Sequence, residues 1–211
     1  MRLYHCDESF ERRETLINWT RVLEAEKDQF SRMNEQERYI YFLLLQYRSP
    51  YLWGKELPTG ADCSGSVCLA LAAATGFLVR TTAEDLYKKF FTIRTPAVTD
   101  MQAVFFLSQH DRPHGNRVLR KGEVGHIAGV IAEGVVMNVV EPKADIRQIN
   151  SLRNSYALRG YDMAIRGLDR KALAAASDAG EDLFGLDGEF AQYIDIPRPA
   201  EKRRTQEMTQ W

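Results

Sequence analysis

Three side chains in this sequence have the types and surroundings to do chemistry together. The first is Cys63, in Asp62-Cys63-Ser64-Gly65, where a Gly/Pro-punctuated loop gives way to an alanine-rich run. Ser64 to Leu71 reads as the start of a helix that Gly76 terminates at the C′ position. Asp62 or Cys63 then occupies the N-cap. Four backbone N–H groups are unpaired at such an end, and the macrodipole favours negative charge there. A thiolate at a helix N-terminus is stabilised, with pKa values falling to roughly 3.5–7.5. The same N–H groups could receive the oxyanion of a tetrahedral intermediate. The alternative for a cysteine is a small buried hydrophobe. Cys68, flanked by Val67 and Leu69, reads that way, whereas Cys63 lies among small polar residues.

A nucleophilic cysteine needs a base. Of four histidines, His5 sits in the terminus, and His110 and His114 lie four apart in a polar stretch without a cysteine or carboxylate cluster. That pair reads as exposed loop histidines rather than metal ligands. His126 follows Gly125 at the start of an apolar run, His-Ile-Ala-Gly-Val-Ile, which places it at the rim of a sheet. It could be a base or merely a satisfied strand-edge histidine. Asn138 is the polar residue inside VVMNVV. Buried there without a partner it would cost about 1–3 kcal/mol. A hairpin turning at Glu133-Gly134 gives paired residue numbers that sum to about 267, which sets Asn138 one diagonal step from His126. An amide there can accept from imidazole Nδ1–H and hold the tautomer. Cys, His, Asn is the chain order of papain-like proteases.

The elements that must position these residues follow from the pattern. Residues 8 to 33 read as an exposed amphipathic helix with Leu16, Trp19, Leu23 and Phe30 on one face. Asn34 and Glu37 look like a capping pair opening a second helix over 35–47, apolar nearly all round in YIYFLLL. Ala83 to Phe91 reads as a short helix. Val104–Leu107, His126–Ala132, Val135–Val140 and Met163–Leu168 read as strands. Residues 109–123, with four basic and two acidic residues, read as a polar loop. Lys171–Ala179 reads as a helix, Phe190–Ile196 as a short strand, and the end as a solvated tail. A helix-flanked, mostly antiparallel sheet of the α+β class fits this order.

Composition narrows the function. The 211 residues are 45% hydrophobic and 27% charged with net charge −1, which gives no field for nucleic acid or an anionic membrane. Three cysteines do not make a disulfide framework. MRLYHCDESFERRE has no apolar h-region, so no signal peptide is expected, and no apolar run is long enough to span a bilayer.

Four motifs in order resemble the NlpC-type family of papain-like cell-wall cysteine peptidases: Pro50-Tyr51-Leu52-Trp53-Gly54, Pro58-Thr59-Gly60, Asp62-Cys63-Ser64-Gly65, and Gly125-His126-Ile127-Ala128-Gly129-Val130-Ile131. The likeness covers roughly residues 35 to 168, and Asn138 has the spacing from His126 of the family's third residue. The resemblance implies a papain-like core over 34–168, with a helical extension over 1–33 and a C-terminal extension over 169–211. It implies Cys63 as nucleophile, His126 as general base and Asn138 as orienter, with no cofactor and no metal. Family members hydrolyse peptide bonds in peptidoglycan stem peptides, typically between γ-D-glutamyl and a diamino acid. In some, the positions of Tyr51, Asp62 and Ser64 form a pocket for a free N-terminal amine, and Trp53 joins them here as a substrate contact. Lys55 replaces the second glycine of the loop, the Gly-Asp before the 102–106 strand is missing, and the 109–123 loop is long. The expected partner is a stem peptide or muropeptide. The alternatives are an amidase or acyltransferase on the same scaffold, or a phage-tail or secreted-effector component. With no export signal seen, the expectation is cytoplasmic synthesis followed by delivery through lysis, a phage tail or a secretion system, with the flanking extensions as docking elements.

Overall fold

The computed structural model describes residues 32–57, 60–75, 77, 81–114 and 117–178. The expected helix over 8–33, apart from its last two residues, lies outside them, as do Gly76, the strand at 190–196 and the tail. Residues 32 and 33 are not helical.

Helix α1 (Glu35–Leu44) opens with the expected capping box. Asn34 Oδ1 accepts from the Glu37 N–H at 3.0 Å, and Glu37 Oε2 accepts from the Asn34 N–H at 2.7 Å, so two orphan donors are satisfied reciprocally. The short strands β1 (Glu56–Leu57) and β2 (Gly60–Ala61) pair and lead into α2 (Cys63–Thr75). From Ser64 onward every residue of α2 is buried, which is why the helix carries small and apolar residues on all sides. Its C-terminal carbonyl at Ala74 accepts from two guanidinium nitrogens of Arg38, at 3.1 and 2.8 Å, in place of water. Helix α3 (Ala83–Asp85) runs into a π-helical turn, Leu86–Phe90.

The strands β3 (Gln102–Ser108), β6 (Val124–Ala132), β7 (Val135–Val140), β8 (Lys143–Gln148) and β9 (Tyr161–Gly167) form one antiparallel sheet, in the order β8-β7-β6-β3-β9. The side-chain period of two sends alternate residues to opposite faces. Phe105, Ile127, Met137 and Val139 face one way and pack with α1, α2 and the Leu86–Phe90 turn. Val104, Phe106, Ala128 and Val136 face the other way and pack with α4 (Ile149–Ala157). At Gly129 a Cβ would stand 2.4 Å from a Leu43 methyl, so glycine lets α1 lie directly on β6. Helix α5 (Arg170–Asp178) buries Leu173 in the first of these cores, and Arg170 pairs with Glu35. The architecture is α+β, with the Cys63-bearing helix packed on an antiparallel sheet.

Two segments differ from the sequence expectation. Residues 109–123 are not a loop throughout: β4 (Arg112–His114) and β5 (Arg117–Leu119) pair as a hairpin. Arg112 ties it down by donating to the carbonyls of Arg159 and Gly160, and Arg120 pairs with Asp111 at 2.7 Å. Residues 143–157, which no pattern assigned, supply both β8 and α4. Among the described residues no helix is long and apolar enough to cross a membrane.

Candidate active site

The site is built where the loop 51–55, the start of α2 and the start of β6 meet. Asp62 organises the first two. Its Oδ1 accepts from the Gly65 N–H at 2.7 Å and the Ser64 hydroxyl at 2.9 Å, and its Oδ2 from the Gly54 N–H at 2.9 Å. Its carbonyl takes the Ser66 N–H at 3.0 Å. Asp62 is therefore the N-cap of α2 and also the clamp on the loop. Tyr51 is pinned from the other side by its own N–H, which donates to the Pro142 carbonyl.

Cys63 follows as the first residue of α2, half-buried. The backbone N–H groups of Ile127, Ser64 and Cys63 itself bond to the sulfur and favour the thiolate. Burial, first, and the neighbouring Asp62 carboxylate, second, act against it and push the thiol up to about 12. The sequence expectation of a lowered pKa is thus reversed. The N–H groups of a helix end stabilise a thiolate only as far as desolvation and a like charge do not outweigh them.

His126 lies at the beginning of β6, buried, with Nε2 2.8 Å from Asn138 Oδ1. With Oδ1 as acceptor, Nε2 carries the hydrogen and Nδ1 is left with its lone pair. The expected geometry had Asn138 holding Nδ1; the observed bond is to the opposite nitrogen. That leaves free the nitrogen nearest the main chain. Asn138 is buried too, and its amide oxygen is satisfied by this bond. The register explains the meeting: Gly129 pairs with Met137, which puts Asn138 diagonal to His126 on one face. Burial is the main reason that the imidazole pKa falls to about 4. The Asn138 bond opposes the fall, His114 and Arg159 add to it, and Asp62 opposes it weakly. Both shifts favour the neutral form, of the thiol and of the imidazole. No hydrogen bond joins Cys63 to His126; the sulfur bonds instead to the N–H of Ile127, the next residue of the strand.

Tyr51, Asp62 and Ser64 gather beside the thiol. The Tyr51 hydroxyl is held above its ordinary range by burial, then by Cys63 and Asp62. Trp53 is on the same loop but projects into solvent, 74% exposed. Cys68 is buried, its thiol 3.7 Å from the Thr81 carbonyl. His110 and His114 belong to the β4–β5 region. Among the described residues no three His, Cys, Asp or Glu side chains come together as a metal site.

Sequence reasoning missed the aromatic residues around His126. Tyr156 of α4 lies parallel to the imidazole, at 5.4 Å between centroids and 9° between planes. Phe106 of β3 is 5.7 Å from it, and Tyr161 stands edge-on to Tyr156. A Cβ at Gly125 would fall 2.7 Å from the Tyr161 ring, so the residue before His126 has to be glycine for this packing. The available signal was the spacing of Ile149, Leu152 and Tyr156, which lie on one helical face.

No family model and no curated protein matches the chain. Solved structures do. A protein described as similar to a lipoprotein of the NLP/P60 family, from Staphylococcus aureus subsp. aureus Mu50, aligns over 64% of this chain and 41% of its own, at 19% identity and a TM-score of 0.48. NlpC1 from Trichomonas vaginalis aligns over 64% of this chain and 44% of its own, at 16% identity and 0.46. The NlpC/p60 domain of the peptidoglycan hydrolase SagA aligns over 62% of this chain and 97% of its own, at 16% identity and 0.42. The chain thus spans less than half the length of the first two.

Proposed function

We propose that this protein is a cysteine peptidase that hydrolyses amide bonds in peptidoglycan stem peptides, at the bond between γ-D-glutamyl and the diamino acid. The observation that carries the reading is the convergence of Cys63, at the N-terminus of a buried helix, on strand β6, whose His126 lies 2.8 Å from Asn138 of β7. The substrate class comes from the four motifs in sequence order.

In this reading the neutral pair is the resting state. As the sulfur attacks the scissile carbonyl carbon, the thiol proton passes to His126 Nδ1. The carbonyl oxygen becomes an oxyanion facing the N–H groups at the start of α2. Collapse breaks the C–N bond, the imidazolium returns its proton to the leaving amine, and a thioester remains on Cys63. Water, deprotonated by His126, then releases the acid and restores the thiol. Asn138 stays hydrogen-bonded to Nε2–H and keeps Nδ1 available. Tyr51, Asp62 and Ser64 form the side of the site that takes the substrate's free ammonium. That ammonium shares Asp62 with the cap bonds, which makes Asp62 both a structural and a binding residue.

The test is a synthetic L-Ala-γ-D-Glu-diaminopimelate peptide incubated with the full chain and analysed by mass spectrometry. Release of L-Ala-D-Glu and free diamino acid is expected. An intact peptide, with the protein shown to be folded, would overturn the bond assignment.

A further inference from the structure

An imidazole that takes a proton at Nδ1 must present that nitrogen at a fixed angle, and the Asn138 bond holds only the other edge of the ring. The ring can turn about its Cβ–Cγ bond with a modest loss at Nε2, and that turn swings Nδ1. Something must hold the plane. The second face of the sheet offers one ring that lies parallel to it. Tyr156 is parallel to His126 within 9°, and it is itself clamped by Phe106, 3.9 Å away between centroids, by the edge of Tyr161 at 5.5 Å, and by the burial of Ile149 and Leu152 on the same helix. The residue is nine-tenths buried, yet among the described residues its hydroxyl makes no hydrogen bond, so internal polar satisfaction does not account for a tyrosine there. Burial first, and then the neighbouring Cys63, hold the phenol above its ordinary range. Arg159, one helical turn on, rests over the ring at 5.4 Å.

We propose that Tyr156 is a positioning residue for His126: its ring, laid parallel to the imidazole and braced by Phe106 and Tyr161, fixes the imidazole plane and keeps water from one of its faces. This rests on the reading of His126 as the base. Helix α4 is then a part of the site, although no α4 residue needs to touch the reacting atoms.

The charged and titratable groups facing His126 are Asp62 at the N-cap of α2, His114 from β4, and Tyr156 and Arg159 from α4 and the turn after it, with Cys63 beside Tyr156. Removing the Tyr156 ring could also displace Arg159, so the comparison is made in an Arg159→Gln background. The readout is the titration of the His126 ring protons by NMR, without substrate, in Arg159→Gln alone and with Tyr156→Leu or Tyr156→Phe added. With leucine the midpoint is expected to climb from the Arg159→Gln background value toward the ordinary 6.5, and with phenylalanine to return to the background value. On a cleavable stem peptide, Tyr156→Leu is expected to lower kcat at least about tenfold with KM little changed, and phenylalanine to restore it. If leucine prevents folding, Tyr156→Met gives the same comparison. A midpoint that stays put when the ring is removed, or one that phenylalanine fails to restore, overturns the proposal. A protein that cleaves no stem peptide would still give the titration, so failure of the substrate assignment and failure of this inference are separable.

Discussion

Acid should weaken the fold through His126, in a defined window. The imidazole is buried, and its pKa falls from 6.5 to about 4 in the folded state. The unfolded chain therefore binds a proton that the folded chain refuses between those values. The stability that depends on a neutral His126 is fully present above pH 6.5 and is lost as the pH falls toward 4, below which this group costs nothing further. At 1.36 kcal/mol per pKa unit, the fall from 6.5 to about 4 amounts to about 3 kcal/mol, a large part of a typical folding free energy. The assay is urea unfolding at a series of pH values for the parent and for His126→Gln, which cannot titrate. Exposed carboxylates contribute equally to both and cancel in the difference. The parent curve should fall faster, by up to 1.36 kcal/mol per pH unit, between 6.5 and 4, and run parallel outside that window. Parallel curves throughout would refute the reasoning, because they would mean that the folded protein accepts the proton as readily as the unfolded chain.

Other outcomes follow from the same geometry. Asp62→Ala removes an acceptor used by Gly54, Ser64 and Gly65 and should cost about 2 kcal/mol in urea unfolding; Asp62→Asn, which keeps one carbonyl oxygen, should cost less. Iodoacetamide should alkylate Cys63 slowly at pH 6 and progressively faster beyond pH 9, since burial and Asp62 keep the free thiol protonated; a plateau reached below pH 7 would show a stabilised thiolate instead. Asn138→Ala should lower kcat by less than His126→Ala does, because the amide only fixes tautomer and angle. If the Tyr51–Asp62–Ser64 side reads a free ammonium, acetylating the N-terminus of the stem peptide should cost about 1.5–3 kcal/mol, one to two decades in kcat/KM, and Asp62→Asn should narrow that gap.

Sequence pattern reached the parts of the site that local rules determine. Hairpin arithmetic about Glu133-Gly134 set Asn138 diagonal to His126, because strand pairing fixes register once a turn is placed. The Asn34–Glu37 capping box and the position of Cys63 at a helix start were likewise readable, since each rests on backbone groups within a few residues. The electrostatics were not readable. The rule for helix termini counts N–H groups, whereas the thiol also responds to the Asp62 carboxylate and to burial by elements distant in sequence. Tyr156 escaped notice for a related reason. Helix α4 begins at Ile149 after an N-cap, Gln148, that makes no side-chain cap bond, and its meeting with His126 depends on how α4 crosses the sheet. The β4–β5 hairpin was hidden because its strands are three residues each, too short for alternation to show.

The most direct test of the central claim is digestion of purified peptidoglycan, together with the soluble muropeptides derived from it, by the parent chain and by Cys63→Ala, with products identified by mass spectrometry. The account predicts fragments cut after γ-D-glutamyl from one or both substrates with the parent, and none with a folded Cys63→Ala. No fragments with the parent, or the same fragments from Cys63→Ala, would contradict it.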